Sequence, residues 1–318
     1  MTNSAKSELY ERIARVYPRL SPKKRRLADF IVNDYKNLFL TTAKELAQRC
    51  QVSEPTVMRF VMDLGFSGYA EFEQYVKGLL HIELTSVERL LRTQPNSRRP
   101  GALEAHVHNA IQNLEKMAGA ISDQEIGHLA QIIYSAPSVI VAGYRASATL
   151  AYYFGFLLKK IRDQVTMDTA CSPEVLDQIA AAAEPVLLMV LSFPRYPRRI
   201  IELMQYARHY QVQILGVSDT PKSPIASLSD HFVIIDVEGL SFVDPFAHII
   251  TFLGTLIHEI AFIDKAATVK RLSKIEDGVK RRQEFFTEFE RRPDSQDPLE
   301  LGYYIKSKPT PSQEGGPG

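Results

Sequence analysis

The stretch TAKELAQRCQVSEPTVMRFVMDLG, residues 42–65, determines how the N-terminal part of the chain folds. Its first half has apolar residues at helical spacing. The second half repeats apolar residues at intervals of three and four, namely Val57, Phe60, Val61 and Leu64. Ser53 is suited to begin the second helix and Gly65 to end it. Two short helices joined by so short a turn predict a helix-turn-helix unit.

The turn between these helices needs a residue in the left-handed conformation. Gln51 stands there, where Gly is the easier choice because it has no Cβ. We expect Gln at this position to destabilise the fold by about 1 kcal/mol relative to Gly, without preventing the turn.

The start and outer face of the second helix carry the candidate DNA contacts. A recognition helix presents short hydrogen-bonding groups and an Arg near its N-terminus, where side chains reach base edges and free N–H groups face phosphate. The candidates on this helix are Ser53, Glu54, Pro55, Thr56, Met58 and Arg59. Lys23 and Arg25 join them, because residues 1–26 hold eight Lys or Arg against two Glu and would attract the DNA backbone. An ordinary amphipathic helix pair with a solvated basic start is the open alternative.

The composition is typical of a globular protein, with 45% of the 318 residues hydrophobic and 24% charged. This length predicts about two domains. Two isolated cysteines, Cys50 and Cys171, offer neither a disulfide framework nor a metal-binding spacing, which fits a reducing compartment. The polar N-terminus lacks a signal region, and no apolar run is long enough to span a bilayer. We therefore expect a cytoplasmic protein with no membrane partner.

After Pro137 short apolar runs alternate with helical segments. The runs are SVIVAG (138–143), QVTMD (164–168), PVLLMVLS (185–192), VQILGVSD (212–219) and HFVIID (231–236). Continuous apolar strands separated by helices predict a parallel sheet that is covered on both faces. The expected fold is thus an all-α helix-turn-helix domain joined to a doubly wound α/β domain with five parallel strands and a closing helix over 242–263.

Three loops at the carboxyl ends of the predicted strands carry the candidate ligand site, because ligands of such sheets bind at that edge. Hydroxyls and helix N-termini suit an anion, and the guanidinium groups of Arg145 and Arg195 can pair bidentately with phosphate or carboxylate. The candidate set is Tyr144, Arg145, Ser147, Ser192, Arg195 and Ser218. Helix-capping hydroxyls and solvated arginines are the alternative interpretation.

The segment RTQPNSRRPG (92–101) breaks the helical periodicity and is predicted to be a linker. We expect a DNA-binding domain over 1–91, an effector-binding domain over 102–290 and a disordered tail over 291–318, which is rich in Pro, Gly and Ser. The helix over 242–263 has more apolar surface than one sheet face needs, which indicates a contact between copies of the chain.

The chain resembles the MurR/RpiR transcription regulators, which join an N-terminal helix-turn-helix domain to a sugar isomerase (SIS) domain. The resemblance rests on LSPKKRRLADFIV (20–32), on ELAQRCQVSEPTVMRFVMDLGFSGYAEF (45–72) and on the succession of five strands after Pro137. It implies a homodimer or homotetramer that binds palindromic duplex operators. It also implies that a sugar phosphate or a related metabolite, bound to the SIS domain, alters the affinity for DNA.

One motif departs from the pattern of this family. Members that bind phosphosugars usually read Ser-x-Ser-Gly-x-Thr after the third strand. Ser192 is retained here, but Pro194, Arg195 and Pro197 replace the other three residues, and Arg145 stands where Gly is frequent. Arginines thus replace hydroxyls as anion ligands, so the effector is expected to be either a phosphosugar or a sugar acid.

A phosphosugar isomerase is the alternative function, since SIS domains also occur in such enzymes. Isomerisation needs a base beside a carbonyl, and Glu174 or His248 would be the candidates. The fused DNA-binding domain argues against catalysis as the primary role. No metal site is expected, because His106 and His108 point apart on a helix and His258-Glu259 lacks a second His. No cofactor is expected either, because no G-x-G-x-x-G follows the first strand.

Overall fold

The computed structural model of the protein describes residues 2–38, 41–83, 85–92, 101–237, 239 and 242–284. The N-terminal part is helical. Its helices are α1 (Thr2–Val16), α2 (Pro22–Asp34), α3 (Ala43–Arg49), α4 (Glu54–Asp63), α5 (Tyr69–Glu83) and α6 (Ser86–Arg92). Among the described residues up to 92 none lies in a strand, so the helix-turn-helix pair α3–α4 is accompanied there by helices alone.

The core of this helical part consists of the apolar stripes that the sequence pattern predicts. Phe60 and Val57 of α4, Leu46 of α3, and Leu27 and Ile31 of α2 have no exposed surface. They belong to one continuous hydrophobic cluster. Burying side chains of this size stabilises a fold by about 1.5–3 kcal/mol each. The predicted helix-turn-helix domain is confirmed.

Local signals in the sequence fix both ends of the helix pair. Thr42 and Glu45 form a capping box at the start of α3, with the Thr42 side chain accepting from the Glu45 N–H at 3.2 Å. Gln51 has a φ of +53°, so the predicted left-handed turn residue is confirmed. Gly65 follows α4 with a φ of +90°, a conformation in which a Cβ would be strained.

The C-terminal part contains a five-stranded parallel sheet. Its strands are β1 (Ser138–Ala142), β2 (Val165–Asp168), β3 (Val186–Leu191), β4 (Gln213–Ser218) and β5 (His231–Ile234). They lie in the order β2-β1-β3-β4-β5. Ala142 at the end of β1 pairs in register with Asp168 of β2 and Val190 of β3, so these carboxyl ends meet at one edge.

Helices cover both faces of this sheet. The helices of this part are α7 (Ala102–Ala120), α8 (Asp123–Ser135), α9 (Ser147–Ile161), α10 (Pro173–Ala180), α11 (Arg198–His209), α12 (Ala247–Ile263) and α13 (Lys265–Arg282). Val139 and Met189 pack in one cluster with α8, α9 and α12. Their neighbours Ile140 and Leu188 point to the other face and pack with α10 and α11. Alternate strand residues therefore enter two separate cores, and the predicted doubly wound α/β fold is confirmed.

Two helices differ from the prediction. The closing helix α12 begins at Ala247 rather than at 242, because the ring of Pro245 prevents a helix from running through this position. Helix α13 was not predicted; half of its 18 residues are charged, although Val269, Leu272, Ile275 and Val279 recur at helical spacing.

Most of the predicted linker 92–101 and all of the predicted tail 291–318 lie outside the described residues. The proposed domain boundaries at 91, 102 and 290 stay predictions.

Candidate nucleic-acid interface and ligand site

The outer face of α4 is a contiguous exposed surface. Glu54, Pro55, Met58 and Arg59 are all exposed, and together they line a shallow depression. Arg59 donates from Nε to the Pro55 carbonyl at 3.2 Å, which holds the base of its guanidinium near the N-terminus of the helix. A rigid helix thus presents an acidic, an apolar and a basic side chain within two turns, close to its free N–H groups.

The hydroxyls at the start of α4 are arranged differently from the prediction. Ser53 begins the helix and is exposed, but its hydroxyl lies 2.8 Å from that of Thr56 instead of capping the backbone. Thr56 is only 8% exposed, so the prediction that it lies on the outer face is wrong. The reason is its position four residues before the buried Phe60, which places both side chains on the same side of the helix.

The basic residues of α2 flank this helix. Lys23 and Arg25 are exposed, and Arg25 lies over the Tyr17 ring at 5.7 Å. Between them Lys24 forms an ion pair with Asp63, at the last turn of α4. The ion pair therefore holds the start of α2 beside α4, with two further cations next to the candidate recognition surface.

The second candidate site lies at the carboxyl edge of the sheet. β1 and β3 are neighbours, but the chain leaves them towards opposite faces, into α9 and α11 respectively. A crevice forms at such a switch point in doubly wound sheets, and ligands bind there. The loops 143–146 and 192–197, which hold Arg145 and Arg195, both begin at this point.

Gly143 is required by the close packing of this edge. A Cβ on Gly143 would lie 2.5 Å from the Ser147 carbonyl oxygen and 3.1 Å from that of Leu191. The next residues then turn sharply, with Arg145 at a φ of +57° and its side chain exposed. Arg195 of the neighbouring loop is also exposed. Both guanidiniums are thus accessible to an anion in solution.

Tyr144 is committed to the interior instead of facing a ligand. It is 6% exposed, and its hydroxyl donates to the carboxylate of Asp168, which is itself buried. Burial and the hydrogen bond to Asp168 both raise the pKa of Tyr144, so this phenol stays protonated. The expectation that its side chain is available at the effector surface is not met, because its aromatic ring packs with the core between the sheet and α10.

The three serines of the candidate set are buried as well. Ser147, at the first turn of α9, is 4% exposed. The Ser218 hydroxyl donates to the carbonyl of Ser192 at 2.7 Å, so it links the ends of β3 and β4. The Ser192 hydroxyl has no hydrogen-bond partner among the described residues. A buried unpaired hydroxyl is costly, and a ligand oxygen or water would satisfy it.

Two functional candidates were missed by the sequence analysis. Tyr196 donates to Asp219 at 2.6 Å and so connects the loops after β3 and β4. Burial raises the pKa of both groups. Their positions in the chain were the available signal, since Tyr196 lies in the loop after β3 and Asp219 directly follows β4, at the edge where ligands of such sheets bind.

Comparison with known proteins identifies the two parts of the chain. The family model for the helix-turn-helix domain of the rpiR family matches residues 7–81, and the SIS domain model matches residues 132–258. Together these models cover well over half of the chain. The protein belongs to the RpiR family. The resemblance noted in the sequence is confirmed.

Individual proteins are similar to this chain. The RpiR-family chain is 22% identical to the HTH-type transcriptional regulator YbbH of Bacillus subtilis (strain 168), over 67% of this chain and 74% of YbbH. The sugar isomerase domain of the RpiR transcription factor from Sphaerobacter thermophilus is 22% identical with a TM-score of 0.53, covering 56% of this chain and 99% of that one. NanR of Vibrio vulnificus, solved with ManNAc-6P, is 18% identical with a TM-score of 0.52, covering 85% and 98%. The two structures share the fold.

The environments of Glu174 and His248, the two candidate bases of an isomerase, do not favour a catalytic role for either residue. Glu174 is exposed, and hydrogen bonds from its own backbone N–H and from Ser172 lower its pKa. His248 is fully buried, with Nε2 2.9 Å from the Asp236 carbonyl, and burial lowers its pKa. A proton-abstracting base must reach its substrate, which a buried imidazole held in this way does not.

The described residues contain no group of three or more His, Cys, Asp or Glu side chains arranged to hold a metal ion. No single helix within them is long and apolar enough to cross a bilayer; α12 and α13 reach that length and hydropathy only when they are counted together across a bend.

Proposed function

We propose that the protein is a DNA-binding transcriptional regulator whose operator affinity is controlled by an anionic, carbohydrate-derived metabolite bound in its SIS domain. The observation that carries the proposal is the exposed face of α4, whose Arg59 is the central cation. This face contributes nothing to the helical core, so a binding partner is the best account of its composition.

The DNA interface follows from the helix-turn-helix geometry. α4 would enter the major groove with Glu54 and Arg59 at base edges, while Lys23 and Arg25 approach the phosphates. Ser53 adds a donor at the helix start. Thr56 would act indirectly by orienting Ser53, since their hydroxyls are 2.8 Å apart.

The effector site follows from the accessible guanidiniums at the sheet edge. Arg145 and Arg195 would hold a phosphate or carboxylate, and the orphaned Ser192 hydroxyl would accept or donate one further bond. The complex of NanR with ManNAc-6P supports a phosphorylated sugar. The prolines beside Arg195 favour an arginine clamp over a hydroxyl cradle, so a sugar acid is the second member of the same class.

A homodimer or homotetramer in the cytoplasm completes the proposal, because a palindromic operator needs a two-fold symmetric partner. Exposed apolar side chains recur on one face of α7 at Leu103, Val107 and Ile111. On α12, Ile250 is 41% and Phe262 55% exposed. These surfaces would be covered by a second copy of the chain.

Selection of duplexes from a random library by the full-length protein tests DNA recognition. We expect an enriched palindrome, and we expect Arg59→Ala to weaken binding to it by about 1–3 kcal/mol if Arg59 contacts a base. Arg281→Ala, which removes an exposed arginine of α13, is the matched control and should bind normally. An unchanged dissociation constant for Arg59→Ala would remove Arg59 from the interface, and failure to enrich any duplex would reject the proposal.

Thermal-shift measurements test the effector class. The panel is glucose 6-phosphate, N-acetylmannosamine 6-phosphate, gluconate and 6-phosphogluconate. A compound that raises the melting temperature of the wild type should lose this effect in the Arg145→Ala/Arg195→Ala double variant. Arg208→Ala, at an exposed arginine paired with Asp230, serves as the control. Equal stabilisation of the wild type and the double variant would refute the arginine clamp.

A further inference from the structure

The loop after β4 touches both candidate binding parts of the molecule. At its start Asp219 accepts the hydrogen bond from Tyr196, next to Arg195. Three residues later Lys222 reaches the helical domain, with Nζ 3.3 Å from the Glu8 carboxylate and 4.7 Å from the centre of the Tyr75 ring. One short loop therefore contacts the effector edge at one end and the DNA-binding domain at the other.

Glu8 is linked through Arg12 to the end of α4. Its carboxylate accepts from Arg12 at 2.9 Å, and Arg12 also donates to the carbonyl of Leu64 at 3.2 Å. Leu64 is the residue that ends α4. Partial burial works to raise the pKa of Glu8, but hydrogen bonds from Arg12 and Lys222 outweigh it, and the pKa is lowered. The ionised carboxylate thus joins two cations that belong to different domains.

The loop between Asp219 and Lys222 is held by short-range hydrogen bonds. The Ser218 Oγ atom lies 3.1 Å from the Asp219 carboxylate, and the Ser223 N–H donates to the Thr220 carbonyl at 3.0 Å. Ser223 itself is 3% exposed, which anchors the far end of the turn. A turn fixed in this way moves as one piece, so a displacement of Asp219 shifts Lys222.

We propose that this loop transmits effector occupancy to α4, by the route Tyr196–Asp219–Lys222–Glu8–Arg12–Leu64. The inference rests on the proposed function, since it specifies how the same effector site would be coupled to DNA. An anion held by Arg195 repositions the adjacent Tyr196. The hydrogen bond from Tyr196 to Asp219 then changes its geometry, and the turn that follows Asp219 moves with it. This movement alters the distance between Lys222 and Glu8.

The exposure of the contact suits a switch. Lys222 is 58% and Glu8 38% exposed at their side chains, so water can replace either partner when the contact opens. Exposed ion pairs contribute little to stability. A two-state element of this kind can be shifted by the modest differential affinity that one ligand provides.

A double-mutant cycle in the full-length protein tests the route without an effector. Tyr196→Phe removes the hydroxyl that bonds Asp219, and Lys222→Gln removes the charge that meets Glu8. We expect Tyr196→Phe to change the dissociation constant for the selected duplex by about two- to fivefold, the range of an exposed ion pair with a cation–π contact. In the Lys222→Gln background this change should disappear.

Variants that keep or remove the charge of Lys222 separate coupling from simple damage. Lys222→Glu should abolish the response to Tyr196→Phe, whereas Lys222→Arg, which keeps the cation facing Glu8, should retain it. Tyr210→Phe and Arg208→Gln are the matched controls, since both lie at the opposite edge of the sheet, near the start of β4. They should leave DNA affinity unchanged.

Amide hydrogen exchange in α1 and α5 gives a readout that does not need DNA. Tyr196→Phe should change exchange around Glu8 and Tyr75, and Lys222→Gln should remove this response. If DNA binding fails but the exchange response appears, the proposed function is wrong while the mechanical route stands. The route would be overturned if Tyr196→Phe changed the dissociation constant equally in the wild type and in Lys222→Gln. It would also be overturned if Tyr196→Phe left amide exchange around Glu8 and Tyr75 unchanged.

Discussion

The two candidate binding surfaces of this RpiR-family protein are built in opposite ways. α4 presents Glu54, Pro55, Met58 and Arg59 from one continuous helix and packs with its opposite side. The sheet edge instead assembles loops that are distant in sequence, and it buries Tyr144, Ser192 and Ser218 to hold those loops together. Mutations should therefore separate binding from stability on α4, while at the sheet edge the two effects should often coincide.

The sharpest contrast lies within α4 itself, between Phe60 and its neighbour Met58. Phe60→Ala should lower the free energy of unfolding of the helical domain by about 3–5 kcal/mol, because it opens a cavity in a fully buried position. Met58→Ala, at a side chain 39% exposed, should leave the urea midpoint nearly unchanged. A large loss of stability in Met58→Ala would show that this face is not an independent binding surface.

At the sheet edge Gly143→Ala tests how tightly the candidate site is packed. The added Cβ meets backbone oxygens that cannot rotate away, so we expect a loss of about 1–3 kcal/mol in the free energy of unfolding. Gly127→Ala in α8 is the control, since its Cβ would meet nothing within 4 Å and should stabilise the helix by about 0.5–1 kcal/mol. Similar urea midpoints for both variants would contradict the close approach.

His248 should make the free energy of unfolding of the SIS domain depend on pH. Burial lowers its pKa below the ordinary value of 6.5, so the unfolded chain binds the proton more readily than the folded one. Stability is then fully present above pH 6.5 and is lost as the pH falls through the lowered pKa, with a slope of at most about 1.4 kcal/mol per pH unit.

The measurement is urea unfolding of the wild type and of His248→Gln across that range. The variant keeps a donor for the Asp236 carbonyl but does not titrate, so its slope should be smaller. Gln131→Ala, at an exposed side chain of α8 that does not titrate, is the control and should keep the slope of the wild type. Equal slopes in all three proteins would mean that His248 does not titrate differently on folding.

The smallest expected effect compares two residues that share a left-handed backbone, Gln51 at +53° and Arg145 at +57°. Replacing either by Gly should relieve up to about 1 kcal/mol of strain, partly offset by the greater freedom of the unfolded chain. Only Arg145→Gly should also reduce the thermal shift caused by a bound sugar phosphate or sugar acid. If Gln51→Gly reduced that shift as well, the smaller shift in Arg145→Gly could be explained by a change in protein stability and would not show that Arg145 contacts the ligand.

The sequence predicted the helical domain well, because its signals are local. The spacing of Val57, Phe60 and Leu64 predicts which side of α4 is buried. Thr42 caps the start of α3, and Gln51 and Gly65 take the left-handed conformations at which the chain turns. Thr56 was placed on the wrong face because it lies at the edge of the apolar stripe, where a small side chain fits either environment. The DNA contacts predicted on α4 stay predictions.

At the sheet edge the sequence identified the loops but not the direction of their side chains. Five apolar runs separated by helices were enough to predict the parallel sheet and the end of it that would bind a ligand. Whether Tyr144 or Ser218 faces solvent depends on Asp168 and on the Ser192 carbonyl, which come from other strands. Such partners meet only when the strands are in register, so no local pattern reveals them.

By itself, then, the sequence determined the class of each part: an exposed helix after a tight turn, which is the candidate recognition helix, and a doubly wound sheet with arginines at its carboxyl edge. The tertiary structure alone decided which polar groups are left for a ligand, through the pairing of Tyr144 with Asp168 and of Tyr196 with Asp219. It alone also brought Lys222 to Glu8, over 200 residues apart in the chain. The periodicity of helices and strands is set by residues that are close in sequence, whereas contacts between distant loops depend on how the helices pack on the sheet.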